Sequence, residues 1–401
     1  MQWRLRVAVA GLFTVLAGFC SPDGRDLPDP SASASREPAL SRSAASTTTA
    51  ATTTTTTPPR TFTLVATGDV LLHTALWHQA SADATASGRS GHDFGPMLAA
   101  IRPVVSGADV AICHMETPVA PPGGPYSSYP SFSVPPEITQ ALAATGYDAC
   151  TTASNHTYDR GAEGVDRTLD ALDASGIHHA GSARTPQEAA TTMLLDVDGV
   201  GVALLSYTYG FNGIPAPGGE TWRSNLIDEA RISADARAAR QRGAEVVVVA
   251  LHWGDEYRHE PNAQQRALAP RLIRSADIDL LLGHHAHVVQ PIEAIDGEWI
   301  VYGMGNLVSN QGSQGPEKLE GLLVRFTFTE TAAGWRTSTA EFAPVLTDDR
   351  GPVRVLDVNR ALADPATDPG VRSRLQQAHD RTTTIVGQRG ATQAGLRPIR
   401  Q

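Results

Sequence analysis

Apolar and polar positions along the chain fall into two alternating regimes. Short β-rich apolar runs occupy residues 62–66, 110–113, 149–152, 202–207, 246–251 and 278–282. Several are almost unbroken in Val, Ile and Leu, the pattern of strands covered on both faces. Between several of them, residues 136–145, 162–174, 228–242 and 263–275 read as helices. Strands alternating with helices predict an α/β fold. Further on, 290–294, 299–302 and 322–328 read as strands without intervening helices. That mixture suits a two-sheet sandwich with outer helices better than a single doubly wound sheet. No repeat of fixed period interrupts it. Beyond residue 346 the pattern carries no chemistry, and 371–381 reads as a surface helix.

The first sixty residues follow another pattern. Arg4 and Arg6 precede an uncharged, mostly apolar stretch at 7–19, which ends at Cys20. The stretch is short for a membrane span and has the layout of a targeting segment. Ala17 and Gly18 suit a lipid-modified cysteine, whereas Phe19 does not. An exported chain is expected, either a lipoprotein anchored through Cys20 or a secreted protein. Residues 21–60 are rich in Ser, Thr, Ala and Pro, with an unbroken threonine run at 52–57. They lack the apolar area to offset ordering entropy and read as a disordered linker. The expected layout is a signal at 1–20, a linker at 21–60, a folded domain at 61–345 and a partly helical extension at 346–401.

Composition narrows the function. The chain has 401 residues, 41% of them hydrophobic, enough for a core. Its 32 basic and 42 acidic residues give a formal charge of −10. That balance argues against coating nucleic acid or anionic lipid, because phosphates would be repelled. Lys318 is the single lysine. Schiff-base or lysine general-base chemistry therefore has almost no candidate residue.

Candidate chemistry gathers where predicted strands end. Gly68-Asp69 follows the first run, His114-Met115-Glu116 the second, and Ser154-Asn155-His156, with Asp159 nearby, the third. His252-Trp253-Gly254-Asp255-Glu256 follows 246–251, and Gly283-His284-His285-Ala286-His287 follows 278–282. Ligands of α/β sheets collect at carboxyl ends of strands. Taken singly, Gly68-Asp69 is a turn, Glu116 a helix cap and His252 a core histidine. The paired His285 and His287, read as alternating residues of an extended segment, point the same way. An ordered set of Asp, Glu, Asn and His suits Mn, Fe, Zn or a similar divalent ion.

The ordered set, with Glu116-Thr117-Pro118, Asn155-His156, His252-Trp253-Gly254 plus Glu256, Gly283, His285, His287 and Gly305-Asn306, resembles the CapA family of poly-γ-glutamate capsule biosynthesis, in the metallophosphoesterase superfamily. The resemblance runs from about residue 61 to about 344. It implies a four-layer α-β-β-α sandwich with a centre for one or two divalent ions at one edge. By resemblance, Asp69, Glu116 and His287 serve one metal. Glu116, Asn155, His252 and His285 serve a second, with Glu116 bridging. His156 is the acid or electrostatic group at the leaving atom and, with Asp69, a catalytic candidate. Trp253, Gly254, Glu256 and Asn306 shape the substrate pocket. Metal-assisted attack on a phosphoryl or acyl centre is the implied chemistry.

The resemblance implies an anionic surface polymer or its precursor as substrate, with membrane-bound synthesis components as possible partners. A non-catalytic capsule-assembly component with a metal site, or a wall-directed amidase or phosphoesterase, fits the same residues. Ser154 and Ala286 depart from the family pattern, and Leu71 departs from the wider metallophosphoesterase pattern in a way the family shares. Leu71 stands where metallophosphoesterases place the histidine of Asp-x-His, which weakens or removes one metal. Ser154 stands where family members commonly carry Asn, and Ala286 where they carry Pro. If Glu116 and Asn155 share a metal, their strands are neighbours, and Cys113 and Cys150 lie at similar depth. A disulfide and two buried thiols both suit that placement. Arg160, Arg223 and the Gly-rich 211–219 loop are candidates for the pocket rim.

Overall fold

The computed structural model describes residues 58–400. The stretch read as a targeting segment with Cys20, and the stretch read as a linker as far as residue 57, lie outside the described residues. The strands, in chain order, begin with β1 (Thr61–Val70), β2 (Val110–Met115), β3 (Ala149–Thr151), β4 (His178–Ala180) and β5 (Met193–Val197). They continue with β6 (Val200–Thr208), β7 (Val246–His252), β8 (Leu280–His284), β9 (Ile292–Ile295) and β10 (Glu298–Val301). The last are β11 (Asn306–Val308), β12 (Glu320–Thr331), β13 (Gly334–Asp348), β14 (Arg354–Asp357) and β15 (Arg397–Pro398). One sheet runs β14-β13-β12-β1-β2-β3-β4, with β11 beside β1 and β15 beside β13. The other runs β5-β6-β7-β8-β10-β9.

Alternation along each strand decides the layers. Phe62, Leu64 and Ala66 of β1 pack with Val246, Val248 and Ala250 of β7 in the core between the sheets. Val65 and Val70 face the other way, toward Leu76, Leu142 and Leu169 of the helices Thr74–Ala86, Glu137–Thr145 and Gly161–Ala174. Val247, Val249 and Leu251 meet Ile232, Ala236, Leu268 and Leu272 of the helices Glu229–Gln241 and Ala263–Ile273. The order is helix, sheet, sheet, helix, the four-layer α-β-β-α sandwich expected. Both faces of β7 are covered, which is why it reads as an unbroken apolar run.

Some elements differ from expectation. The run at 278–282 forms a strand two residues later, as Leu280–His284, because Ile278 closes a turn onto the Ser275 carbonyl. The helix Thr74–Ala86 escaped notice, since its Ala- and Ser-rich stretch buries only Leu76, Trp77, Ala80 and Ala84. After residue 346 the chain stays in the fold: β13 continues to Asp348, and β14 and β15 pair with it. The tail helix Pro369–Val386 covers the reading at 371–381 and extends past it. It buries Leu375 and Ala378 against Leu319, Leu346 and Val358. Cys113 and Cys150 are register partners on β2 and β3. They form a disulfide, with Cα atoms 4.4 Å apart. Among the described residues no helix is long and apolar enough to cross a membrane.

Candidate metal centre

Parallel strands bring the candidate side chains to one edge. Asp69 lies in register with His114 on β2 and with Asn306 on β11. The close approach of β11 needs Gly68, because a Cβ there would meet the Gly305 carbonyl oxygen at 2.1 Å. Asp69 N–H donates to that oxygen at 2.9 Å. In the other sheet, His252 ends β7 in register with His284 at the end of β8. The motifs Gly68-Asp69 and Gly305-Asn306, 237 positions apart by number, are thus one structural unit.

Asp69 receives His284 Nδ1 at 2.7 Å and the His285 backbone N–H at 3.1 Å. His287 Nδ1 stands 3.4 Å from Asp69 Oδ2, and its Nε2 is 3.5 Å from Glu116 Oε1. His252 Nε2 lies 4.0 Å from the same Glu116 oxygen and 2.9 Å from Asn155 Oδ1. Both Glu116 carboxylate oxygens are buried without a hydrogen-bond partner, as is His285 Nδ1. Orphaned buried acceptors of this kind are costly unless a ligand satisfies them. Asp69, Glu116 and His287 offer ligand atoms within 4.8 Å of one another, and so do Glu256, His285 and His287. The donor set fits a divalent ion.

Electrostatics agree with that fit. Burial, with the neighbouring Asp69 charge, pushes the Glu116 carboxyl well above its ordinary range, although His287 works against it. Burial also works to raise Asp69, but the hydrogen bonds from His284 and His287 outweigh it and hold Asp69 well below the usual carboxylate range. Burial and mutual repulsion keep His114 and His252 below their ordinary value. They lower His285 to about 3. Neutral imidazoles are the form that binds metal. His287 is the exception: burial lowers it, yet Glu116 and Asp69 together raise it to about 9. Its imidazolium supplies the positive charge the two carboxylates need when no cation does.

His114, a strand-end histidine to which the sequence assigns no role, supports His252. His114 Nε2 lies 2.9 Å from His252 Nδ1, and His114 Nδ1 lies 2.8 Å from Thr151 Oγ1. If Thr151 donates to His114, and His114 to His252, then His252 Nε2–H donates to Asn155 Oδ1. With every proton reversed, the Thr151 hydroxyl donates to the Cys113 carbonyl at 3.3 Å and His252 Nε2 presents a lone pair. The chain therefore permits the tautomer a metal ligand requires. His284, held on Asp69, is a second such residue. Strand pairing signals both, because His114 and His284 stand at the register positions of Asp69 and His252.

The remaining candidates take separate places. His156 Nδ1 bonds Asp159 Oδ2 at 2.8 Å, and that oxygen also accepts the Phe132 N–H at 2.7 Å. The pair orients the ring against Phe132, centroid to centroid 4.7 Å. Ser154 accepts the His156 backbone N–H and donates to the Glu116 carbonyl, so the hydroxyl ties the ends of β2 and β3 together. Asn306 Oδ1 faces His287 Nδ1 at 3.0 Å and orients that ring. Glu256 is exposed beside His285 and His287.

Trp253 is fully buried, its indole N–H on the Tyr302 carbonyl at 3.0 Å. It supports the end of β7 from within the core between that sheet and its helices. Gly254 has φ +90°, and a Cβ there would strike Gln265. His285 and His287 do not alternate along an extended strand as expected. β8 ends at His284, and both residues take left-handed backbone, φ 85° and 53°. Such strain in non-glycine residues gathers at functional sites. Leu71 is buried in the outer core rather than at the centre. Arg160 is engaged by Ser127 and the Ser131 carbonyl, and Arg223 by Glu220 and Asp166. The 211–219 loop does reach the site, through Asn212 Oδ1 on Asn155 Nδ2 at 3.1 Å.

Fold and site together define an α-β-β-α sandwich with a cluster of Asp, Glu, Asn and His side chains at the strand ends that could hold a divalent metal. The family described as bacterial capsule synthesis protein PGA_cap matches residues 63–311. The chain belongs to that family. It is 32% identical to capsule biosynthesis protein CapA of Bacillus anthracis over 181 residues, 44% of this chain and 43% of that protein. It is 31% identical to PGA biosynthesis protein CapA of Bacillus subtilis (strain 168) over 180 residues, 44% of this chain and 46% of that protein. The matched segment thus spans less than half the length of these two relatives. A probable polyglutamine synthesis accessory protein of Mycobacterium tuberculosis is 30% identical over 244 residues, 56% of this chain and 63% of that protein. Among solved structures, the calcineurin-like phosphoesterase YfkN from Bacillus subtilis aligns at TM-score 0.46 and 15% identity, covering 82% of this chain and 99% of that chain.

Proposed function

We propose that this protein is an exported, metal-dependent hydrolase or transferase of capsule biosynthesis, acting on an anionic surface polymer of the poly-γ-glutamate kind. The observation that carries the reading is Glu116: a buried carboxylate with two unpartnered oxygens, faced by His287 and His252. Asp69, Glu116 and His287 would hold one ion; Asn155, His252 and His285 lie beside them for a second. Manganese, iron and zinc all suit these ligands. A bound ion supplies Lewis-acid polarisation of a carbonyl or phosphoryl oxygen. His156, fixed by Asp159, stands next in sequence to the ligand Asn155 and would hold a proton for the leaving group. Membrane-bound synthesis components would deliver the polymer, and the targeting segment ending at Cys20 would place the domain beside them.

A non-catalytic assembly role is favoured by one observation. Leu71 occupies the position of a metal-binding histidine and sits in the core, so one ion has fewer ligands. Two measurements separate the readings. The purified full chain, loaded with manganese or zinc, is offered γ-linked oligoglutamate, a phosphodiester and a wall-derived amide. Gene deletion is then read out as extracellular γ-glutamyl polymer and as wall composition. Turnover of any panel member supports the enzyme. Bound metal with no turnover, and polymer lost on deletion, leaves the assembly role. A wild type that makes no polymer removes the capsule assignment and leaves the metal centre standing.

A further inference from the structure

Lys318, the single lysine, lies at the edge of this site. It is 7% exposed, in the segment between β11 and β12. Its carbonyl accepts Asn306 Nδ2 at 2.9 Å and Ser309 Oγ at 3.0 Å. Those bonds fasten it to the strand end that orients His287. Its ammonium stands 3.8 Å from the centroid of the Tyr257 ring and gives one long hydrogen bond, 3.4 Å, to Gln314 Oε1. No carboxylate pairs with it among the described residues. An ammonium has three donors, and burying it without an anion is costly even over an aromatic face.

Other buried charges of this protein are treated differently. Arg223, also buried, meets Glu220 and Asp166, and buried Glu320 meets Arg374 and Arg381. Glu256 does not serve Lys318, because its carboxylate bears on the Tyr257 hydroxyl. Gln314, the one polar neighbour of the ammonium, is exposed, so the charged end lies close to solvent. Tyr257 joins it to the metal ligands: its ring is 6.0 Å from that of His287. Its hydroxyl accepts Gln311 Nε2 at 3.2 Å, and Gln311 Oε1 accepts Asn306 Nδ2 at 3.0 Å.

We propose that Lys318, with Tyr257 and Gln311, forms an anion-binding subsite beside the metal ligands that receives a carboxylate or phosphate group of the substrate. It rests on the reading above only in taking the substrate to be anionic. A γ-linked glutamate chain presents a free carboxylate at every residue. One carboxylate on Lys318 would fix which neighbouring bond lies over the metal ligands.

The test uses the full chain loaded with zinc, titrated calorimetrically with a γ-linked glutamate tetramer and, separately, with inorganic phosphate. Lys318→Met keeps the aliphatic stem over Tyr257 and removes the charge. Loss of one charge-assisted contact predicts a Kd raised about 10- to 100-fold. Lys318→Arg should stay within a few-fold of wild type, with zinc content and Tm unchanged in both variants. Tetramer binding that is indifferent to Lys318→Met overturns the subsite. Lys318-dependent binding of phosphate alone supports the subsite and counts against the γ-glutamyl substrate. A wild type that binds neither probe overturns the subsite, while its zinc content reports separately on the metal centre. If Lys318→Met fails to fold, the lone lysine still allows a test on wild type. Saturating probe should slow acetylation of Lys318, read by peptide mass spectrometry, and an unchanged labelling rate refutes the proposal.

Discussion

Two regions of this sandwich bury charge, and they do so in opposite ways. Along β12, Glu320 is 2% exposed and gripped by Arg374 and Arg381 of the tail helix. Farther along the same sheet Glu341 meets Arg325 at 2.7 Å and Arg397 at 3.2 Å. At the strand ends, Glu116 is 1% exposed, and neither oxygen has a hydrogen-bond partner, its nearest charges being the imidazoles of His287 and His252. A buried charge closed by its own protein is architecture. A buried charge left open marks where something else binds, since the fold carries its desolvation cost without return.

The sharpest break of this contrast is removal of a ligand. His252→Ala and His285→Ala should each lose stoichiometric metal while circular dichroism reports an intact fold. Metal retained by both variants would move the centre elsewhere. Next in size, His156→Asn should keep the metal and lose about 10²–10⁴-fold in turnover on whichever panel substrate the wild type cleaves. Full activity would remove His156 from the chemistry. His114→Gln replaces no proposed ligand, yet it breaks the chain from Thr151 to His252. Outer partners of this kind are worth about 10–100-fold in metal affinity, measurable by competition with a chelating dye. An unchanged affinity would make His114 a packing residue.

The same substitution in both regions sharpens the comparison further. Glu320→Gln should destabilise by about 1–3 kcal/mol, because it leaves two arginines short of their partner. Glu116→Gln should stabilise the metal-free protein by a similar amount, about 1–3 kcal/mol, because a costly buried carboxylate is gone. Chelated samples followed by denaturant unfolding give both signs, and equal signs would dissolve the distinction. The remaining test is on pH. His287 is raised to about 9 in the fold against 6.5 unfolded. Its contribution is complete below pH 6.5 and lost as pH rises through about 9. Metal-free protein should lose stability across that window. Metal-loaded protein, whose His287 has already given up its proton, should lack that slope.

Much of the centre was legible because strand ends are. Asp69, Glu116, Asn155, His252, His285 and His287 each follow an apolar run, and parallel pairing brings such ends to one edge. Register was not legible. Which side chain of a strand end points inward depends on pairing, so the sequence offers His114 and His284 as strand-end imidazoles without a role, and Trp253 as a pocket residue although it is buried. Local backbone was hidden too: nothing in Gly-His-His-Ala-His announces two left-handed histidines.

What the sequence determined by itself is the layer order, since alternation of Phe62, Leu64 and Ala66 against Val65 already assigns each side chain to a face. It also determined which residue types could bind metal. Tertiary structure alone decided which charges are closed and which stay open. Arg223 finds Asp166 at a separation of 57 residues, and Arg381 finds Glu320 at 61, whereas Glu116 faces only imidazoles and Lys318 meets no carboxylate among the described residues. That outcome depends on distances between segments remote in sequence, and Coulomb and hydrogen-bond energies are set by distance in space.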